Sequence, residues 1–360
     1  MAEGSLQTPG PGSMLPAEPI WRRALGFFLL PLSIPYRLVV SWRRRHWRGR
    51  SIKLEVPVVS VGNLTCGGTG KTPTVEMLSR DLRERGWNPA ILSRGYGAAP
   101  TTAGEESQGN DECRVLRQNL PEVEHLQGAD RVASGREAIQ AGADVLVLDD
   151  GFQHLRLHRD LDLVLLDALR PFDRGRLLPA GLLREPVEAL VEADLLAVTR
   201  VELVSAERRE LLVAFLGERF PDIPLLLLES KPVCWRDLAG ETLEPGALAG
   251  ERVYGFCGIG NPSSFQLALE ELVDELAGFH SFRDHHPYDS ETVAMIAERA
   301  RQRKVETIVM TQKDAVKLDP SWLEAEPGLR WLFLRIEQSI VSGHEAYDEA
   351  LGALPGRSEG

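Results

Sequence analysis

Short unbroken apolar runs alternate along the chain with stretches in which apolar positions return every third or fourth residue. The runs at 56–61, 89–92, 145–149, 161–167 and 194–199 are rich in Val, Leu and Ile and do not alternate with polar residues. That pattern predicts strands buried on both faces, as in a parallel sheet. Residues 73–86 and 129–142 carry the helical period between them. Strands and helices in alternation from 56 to about 228 predict a parallel sheet with helices on both faces.

A second unit is expected from about Lys231-Pro232. Its strands are predicted at 252–257, 307–314 and 331–335, with a helix over 263–277. The fold class is therefore α/β, a P-loop NTPase-type sheet with a second, smaller α/β domain. The expected limits are 54–228 for the core and 229–345 for the smaller domain. A Gly-, Pro- and Ser-rich extension (1–19) precedes them and a tail (346–360) follows. Met14 is an alternative start.

Residues 20–53 stand apart. They carry nine Lys and Arg and no acid, on a chain whose net charge is −12. The uncharged run between Arg23 and Arg37 is shorter than the ~20 residues of a spanning helix. Pro31 and Pro35 are expected to break it, and Trp21, Trp42 and Trp47 flank it. A broken amphipathic segment lying in the interface of an anionic membrane fits this combination. A helix docked on the protein's own core, with its arginines solvated, is the other reading. The cysteines Cys66, Cys113, Cys234 and Cys257 lie far apart. They read as reduced thiols of a cytosolic compartment, so attachment is expected on the cytoplasmic face.

The first stretch that carries chemistry follows the strand at 56–61. Thr65-Cys66-Gly67-Gly68-Thr69-Gly70-Lys71-Thr72 is a glycine loop running into a helix. Such a loop lets backbone N–H groups approach phosphate oxygens at a helix N-terminus. Lys71 would reach the β- and γ-phosphates and the Thr72 hydroxyl would meet Mg²⁺. The strict pattern wants Gly six positions before the lysine; here Thr65 stands there, and Gly62 lies three residues earlier. The apolar run ending in Asp149-Asp150 has the form of a strand that brings a carboxylate to the metal. Ser93-Arg94-Gly95-Tyr96-Gly97 closes another strand, where open α/β sheets bind ligands. Asp111, His154, Asp284, His285 and His286 fall in expected loops and could supply an Asp-His proton-abstracting pair. This chemistry is that of a Mg²⁺–nucleotide enzyme and leaves the acceptor open.

Several motifs recur in the order of one known family: Gly62 to Pro73, Leu92 to Gly97, Asp149-Asp-Gly-Phe-Gln-His154, Leu177 to Pro186, Gly258-Ile-Gly-Asn-Pro262, Asp284-His285 and Thr311-Gln-Lys-Asp314. Over about residues 15–345 the chain resembles the tetraacyldisaccharide 4'-kinases of lipid A biosynthesis, which share the Thr65 variant of the loop. The resemblance implies transfer of the γ-phosphoryl group of ATP, with Mg²⁺, to the 4'-hydroxyl of a membrane-embedded disaccharide. It implies Asp111 as base, paired with His285, although the family's Gly-Asp-Glu-Pro reads Gly109-Asn110-Asp111-Glu112-Cys113 here. Glu112 and Asp149 would assist the metal. Asp150, Gln153 and His154 would lie near the nucleotide or acceptor, and Arg94 and Arg184 would bind phosphate groups. With Asp111 in the core and His285 in the smaller domain, closure of the domains would assemble the site.

Two rivals remain on the sequence. Thr311-Gln-Lys-Asp314 also resembles a guanine-reading motif, so a GTP switch or a metallochaperone-type NTPase is one. A membrane-associated scaffold that uses ATP structurally is the other. A lipid A disaccharide precursor and the membrane surface are the expected partners; neither nucleic acid nor an obligatory protein partner is expected.

Overall fold

A computed structural model of the chain describes residues 20–95 and 109–356. The expected extension at 1–19, Tyr96 and Gly97, the loop residues 98–108 and the tail residues 357–360 lie outside these. The chain forms two compact units. The first takes residues up to Arg94, Glu122–Glu229, and Gln338 onward; the second takes Gly95–Pro121 and Ser230–Glu337. The segment carrying Asp111 thus belongs with His285, not with the core as the sequence suggested.

From the N-terminus run α1 (Ile20–Trp47), β1 (Val58–Asn63), α2 (Lys71–Glu84) and β2 (Pro89–Ser93). The chain visits the second unit for α3 (Asp111–Asn119) and returns for β3 (Glu124–Gln127), α4 (Arg131–Gln140) and β4 (Val145–Asp149). β5 (Leu161–Asp167), β6 (Leu195–Thr199) and α5 (Ala206–Arg219) follow. β7 (Leu225–Arg236) leads into the second unit, with β8 (Thr242–Leu243), β9 (Arg252–Cys257), α6 (Pro262–Leu272) and β10 (Glu275–Ser281). Next come α7 (Ser290–Gln302), β11 (Thr307–Thr311), α8 (Gln312–Ala315) and α9 (Pro320–Glu324). β12 (Arg330–Ser342) leads back to the first unit, which ends in α10 (His344–Gly352).

In the first unit the strands stand in the order β7-β6-β5-β1-β4-β2-β3, every neighbouring pair parallel. β1 is central and buried along its length, which is why its sequence is apolar on both faces. Val61 of β1 pairs with Asp149 of β4, so the strand leading into the glycine loop lies beside the carboxylate at the end of β4. Gly62 has a steric reason: a Cβ there would stand 2.4 Å from Phe152 Cβ. Phe152 is fully buried among Leu64, Val164 and Leu166. In the second unit the order is β10-β9-β11-β12, again parallel, and the end of β7 pairs antiparallel with β8. Side-chain caps from Asn110, Asp130, Ser205 and Asp289 start α3, α4, α5 and α7.

Four expectations give way. The helix expected over 263–277 stops at Leu272, and β10 takes 275–281. This is a half-buried edge strand whose register shifts at Gly278, where a Cβ would stand 2.7 Å from Tyr254. The strand expected over 307–314 ends at Thr311, whose hydroxyl accepts from Asp314 N–H and caps α8. The expected tail begins with ordered helix: Tyr347 and Leu351 of α10 are buried, and the Tyr347 hydroxyl donates to Asp81 at 2.7 Å.

The fourth concerns the basic segment. α1 runs unbroken through Pro31 and Pro35. Both prolines are exposed and four residues apart. The carbonyls they leave unpaired therefore fall on one outer face, and the helix persists. The same face carries Phe28, Leu32, Ile34, Leu38, Val39 and Trp42, with Phe28 77 % and Trp42 63 % exposed. The inner face is mixed: Val40 is buried there, and polar side chains anchor the helix around it. Ser33 Oγ donates to Leu177 O and Tyr36 O–H to Arg184 O, each at 3.0 Å. Arg44 pairs with Glu185 at 2.8 Å and also with Glu192. The helix thus leaves more apolar surface outward than one that packs wholly on a core. Among the described residues, no helix is long and apolar enough to cross a membrane.

Candidate active site

The first centre is the loop between β1 and α2. Gly70 takes a left-handed φ of 86° as the residue before α2, and Gly67 one of 115°; both conformations favour glycine. A Cβ on Gly67 or Gly68 would meet nothing within 4 Å, so the loop's backbone is open on that side. Asn63, at the end of β1, donates to Thr65 O at 2.8 Å and pins the turn. The loop is held from β6 as well, where Thr199 Oγ1 donates to Thr69 O at 2.9 Å. Arg200 donates to Gly68 O at 2.8 Å and pairs with Asp167. Cys66 sits in the loop as a thiol, its pKa raised first by burial and then by Asp150 against the pull of Arg184 and Lys71.

Lys71 Nζ lies 3.2 Å from Asn63 Oδ1 and 3.5 Å from Asp150. Arg184 grips Asp150 with both terminal nitrogens, at 2.8 and 2.7 Å, and reaches Asn63. Burial opposes ionisation of Asp150, but the Arg184 hydrogen bonds and the nearby Lys71 outweigh it. They hold the carboxyl well below the usual range. Asp150 adopts a left-handed φ of 58°, a conformation uncommon outside glycine. Asp149 is buried at the end of β4. Gln153 Nε2 donates to Asn63 O at 2.9 Å. His154 is pushed down to about 4 by burial, with Arg131, Arg159 and Arg156 adding to it, and is a neutral imidazole at pH 7. Arg94 is exposed at the end of β2.

The second centre lies wholly in the second unit. Asn110 caps α3, its side chain accepting from Cys113 N–H at 3.0 Å, so the inserted asparagine starts the helix that presents Asp111. His285 Nδ1 lies 2.9 and 3.0 Å from the two Asp111 oxygens. The Asp111 side chain is only 4 % exposed, whereas that of His285 is 52 % exposed. His285 holds a left-handed φ of 56°, the kind of backbone outlier that gathers at functional sites. Burial opposes the Asp111 charge, yet the His285 hydrogen bond and Lys313 bring its pKa below the ordinary value. The same hydrogen bond raises His285. Glu112 is ion-paired with Lys313 at 3.2 Å.

Both residues of the pair thus sit in one unit, and domain closure is not needed to join them. Lys313, which the sequence offers only inside the Thr311 to Asp314 motif, joins this centre. Its Nζ lies 3.9 Å from Asp111 and 3.8 Å from Asp284, and no local spacing links position 313 to 111. Asn63, a member of the loop motif, joins Lys71 and Arg184 through its side chain. The guanine-reading interpretation of Thr311 to Asp314 does not survive. Asp314 is fully buried and accepts from Gly258 N–H, Tyr288 O–H and Thr311 O–H, with Lys317 at 3.0 Å. No lone pair of it faces a base. His286 stacks on Phe282 with ring centroids 4.4 Å apart and belongs to that aromatic cluster.

Comparison with known proteins bears on the whole chain. The family model described as tetraacyldisaccharide-1-P 4'-kinase matches residues 25–354. A tetraacyldisaccharide 4'-kinase of Syntrophus aciditrophicus is 41 % identical over 347 residues, covering 89 % of this chain and 90 % of the relative. One from Geobacter metallireducens is 40 % identical over 316 residues, covering 81 % and 88 %. Among solved structures, LpxK from Aquifex aeolicus in complex with ATP matches with a TM-score of 0.71 at 28 % identity. It covers 91 % of this chain and 98 % of that one. With its glycine loop, its paired Asp111 and a likeness that runs nearly end to end, this chain belongs to the tetraacyldisaccharide 4'-kinase family.

Proposed function

We propose that the protein transfers the γ-phosphoryl group of ATP to the 4'-hydroxyl of a tetraacyldisaccharide 1-phosphate, forming lipid IVA. The observation that carries this reading is the Asp111–His285 pair. A transferase to a hydroxyl needs a proton acceptor, whereas a nucleotide switch or a structural ATP binder does not.

Loop residues Thr65, Cys66, Gly67, Gly68, Thr69, Gly70, Lys71 and Thr72 would take the phosphates through backbone N–H groups and the Lys71 ammonium. Thr72 and Asp149 offer hard oxygen donors. Asp149 is buried beside the strand that enters the loop, which suits a divalent cation that completes its shell with phosphate oxygens. Mg²⁺ bound there would neutralise charge developing on the phosphates. Glu112 would assist while paired with Lys313. Asp150 would hold Lys71 and Arg184 in register, and Arg184, Arg94, Gln153 and His154 would orient the acceptor and its phosphate. Asp111 and His285 would take the hydroxyl proton as one unit: the carboxylate fixes the imidazole, and the exposed ring edge meets solvent. Positioning and charge supply most of the rate in such a transfer.

An acceptor whose acyl chains stay in a bilayer requires the enzyme to come to it. The exposed apolar face of α1, with its arginines, would lie in the interface on the cytoplasmic side as a peripheral attachment. The deciding test is transfer of label from γ-labelled ATP to a lipid A disaccharide monophosphate in detergent micelles. Labelled lipid from wild type and little from Asp111→Ala is expected. Well-folded wild type that labels no lipid would overturn the reading.

A further inference from the structure

Thr311-Gln-Lys-Asp314 is built as a mount for one side chain. Thr311 caps α8, and Asp314, fully buried, is fixed by Gly258, Tyr288 and Thr311. Gln312 is buried, and its amide nitrogen donates to Gln118 at 2.9 Å and to Asn119 at 2.8 Å. Those two close α3, the helix that opens with Asp111 and Glu112. With both its neighbours held, Lys313 extends its ammonium to 3.2 Å from Glu112, 3.9 Å from Asp111 and 3.8 Å from Asp284. Lys317 also comes to 4.0 Å from Asp111. Its nitrogen, however, is buried, 3.0 Å from Asp314 and over the Tyr288 ring. Lys313 is the more exposed of the two, at 22 %, and its nearest acid, Glu112, is itself partly exposed. It is the lysine that can change partners.

Asp111, Glu112 and Asp284 together would repel an incoming phosphoryl group, and Lys313 is the cation they share. A hydroxyl that gives its proton to the Asp111–His285 pair does so from the same oxygen that bonds phosphorus. The phosphoryl oxygens therefore come next to whatever lies beside Asp111. In such a transfer negative charge is spread over three equatorial oxygens, and a cation placed there stabilises it directly. We propose that Lys313 is a further catalytic residue, its ammonium leaving Glu112 to hydrogen-bond an oxygen of the phosphoryl group in flight. The bond from the acceptor oxygen to phosphorus forms as the bond from phosphorus to the ADP oxygen breaks, and that electron pair leaves with ADP. The acceptor's proton goes to the Asp111–His285 pair, and Lys313 keeps its own protons. This rests on reading the pair as the proton acceptor of a lipid kinase.

The test uses the full chain with ADP, Mg²⁺, aluminium fluoride and the lipid A disaccharide monophosphate in micelles. Aluminium fluoride beside ADP imitates the phosphoryl group in flight, and a contact made only then shows as slow release of ADP. Lys313→Met should lower kcat by about a hundredfold and bind ADP alone as wild type does. From the fluoride complex it should release ADP at least about tenfold faster, the size of one charged hydrogen bond. Lys313→Arg keeps a cation there and should recover most of the slow release. Should the methionine chain not fold, Lys313→Gln beside Lys313→Arg makes the same comparison. A chain without the ammonium that loses turnover yet holds the fluoride complex as long as wild type would overturn the proposal, since the lysine would then act only on Asp111. Wild type that labels no lipid would remove the kinase reading and this assignment with it. Wild type that labels lipid beside an unimpaired methionine chain would remove the assignment alone.

Discussion

His285 reaches Asp111 through Nδ1 alone, 2.9 and 3.0 Å from the two carboxylate oxygens. One nitrogen therefore bridges a carboxylate that is almost wholly buried, while the rest of the ring stays accessible. The hydrogen bond fixes which nitrogen carries the proton. It also couples the titration of the two groups.

That coupling sets the pH profile. Asp111 raises the imidazole above its ordinary 6.5, so the pair can accept a proton only after His285 has lost one. Activity should therefore rise with pH to a plateau whose midpoint lies above 6.5. Asp111→Asn should lower the plateau by about 10²–10⁴-fold and move the midpoint of any residual activity down, because the raising interaction is gone. Plots of kcat/KM against pH for both chains provide the check.

Arg184 grips Asp150 with two nitrogens, and a lysine could offer only a point charge. Arg184→Lys should therefore reduce kcat by about a hundredfold with little change in stability. Steady-state kinetics beside a thermal melt would separate those two effects.

Gly62 is fixed by the backbone and Cβ of Phe152. Gly62→Ala would push a methyl to 2.4 Å from Phe152 Cβ and 2.7 Å from its backbone nitrogen. Neither is the tip of a flexible chain, so a cost of about 1–3 kcal/mol is expected. A lower urea midpoint with unchanged slope would report it.

The two faces of α1 should separate in experiment. Replacing Phe28, Leu32 and Trp42 by serine should weaken binding to anionic vesicles by more than about a hundredfold, each side chain being worth about 1.5–3 kcal/mol of apolar transfer. The melting temperature should hardly move. Arg44→Ala should do the reverse. It strands Glu185, whose side chain is 3 % exposed, at a cost of about 3–5 kcal/mol. Vesicle flotation and melts on both chains would show the contrast.

What could be read in advance follows from distance along the chain. The glycine loop, Lys71 and Asp149-Asp150 are local patterns, and β1, β4 and β5 are apolar because a central parallel sheet has no wet face. Asp111 stands among several loop candidates for an Asp-His pair, and only likeness to a family singles it out with His285, since nothing near it predicts a histidine many residues away. Lys313 and Asn63 act through contacts of the same long-range kind and leave no spacing to find. Thr311 to Asp314 misled because a short motif does not reveal whether its aspartate is already occupied by neighbours. At Pro31 and Pro35 the rule that proline breaks helices failed because both fall on one outer face.

The polar side of α1 ties that helix to the segment running from Leu177 to Glu185: Ser33 holds one end, and Tyr36 and Arg44 hold the other. Arg184, which clasps Asp150, belongs to the stretch so held. A helix whose one side is apolar and exposed is thus a splint for a site residue with the other. Trimming α1 to obtain a more tractable protein would loosen the guanidinium, and the shortened chain would be a poor guide to the parent's turnover even on a water-soluble acceptor.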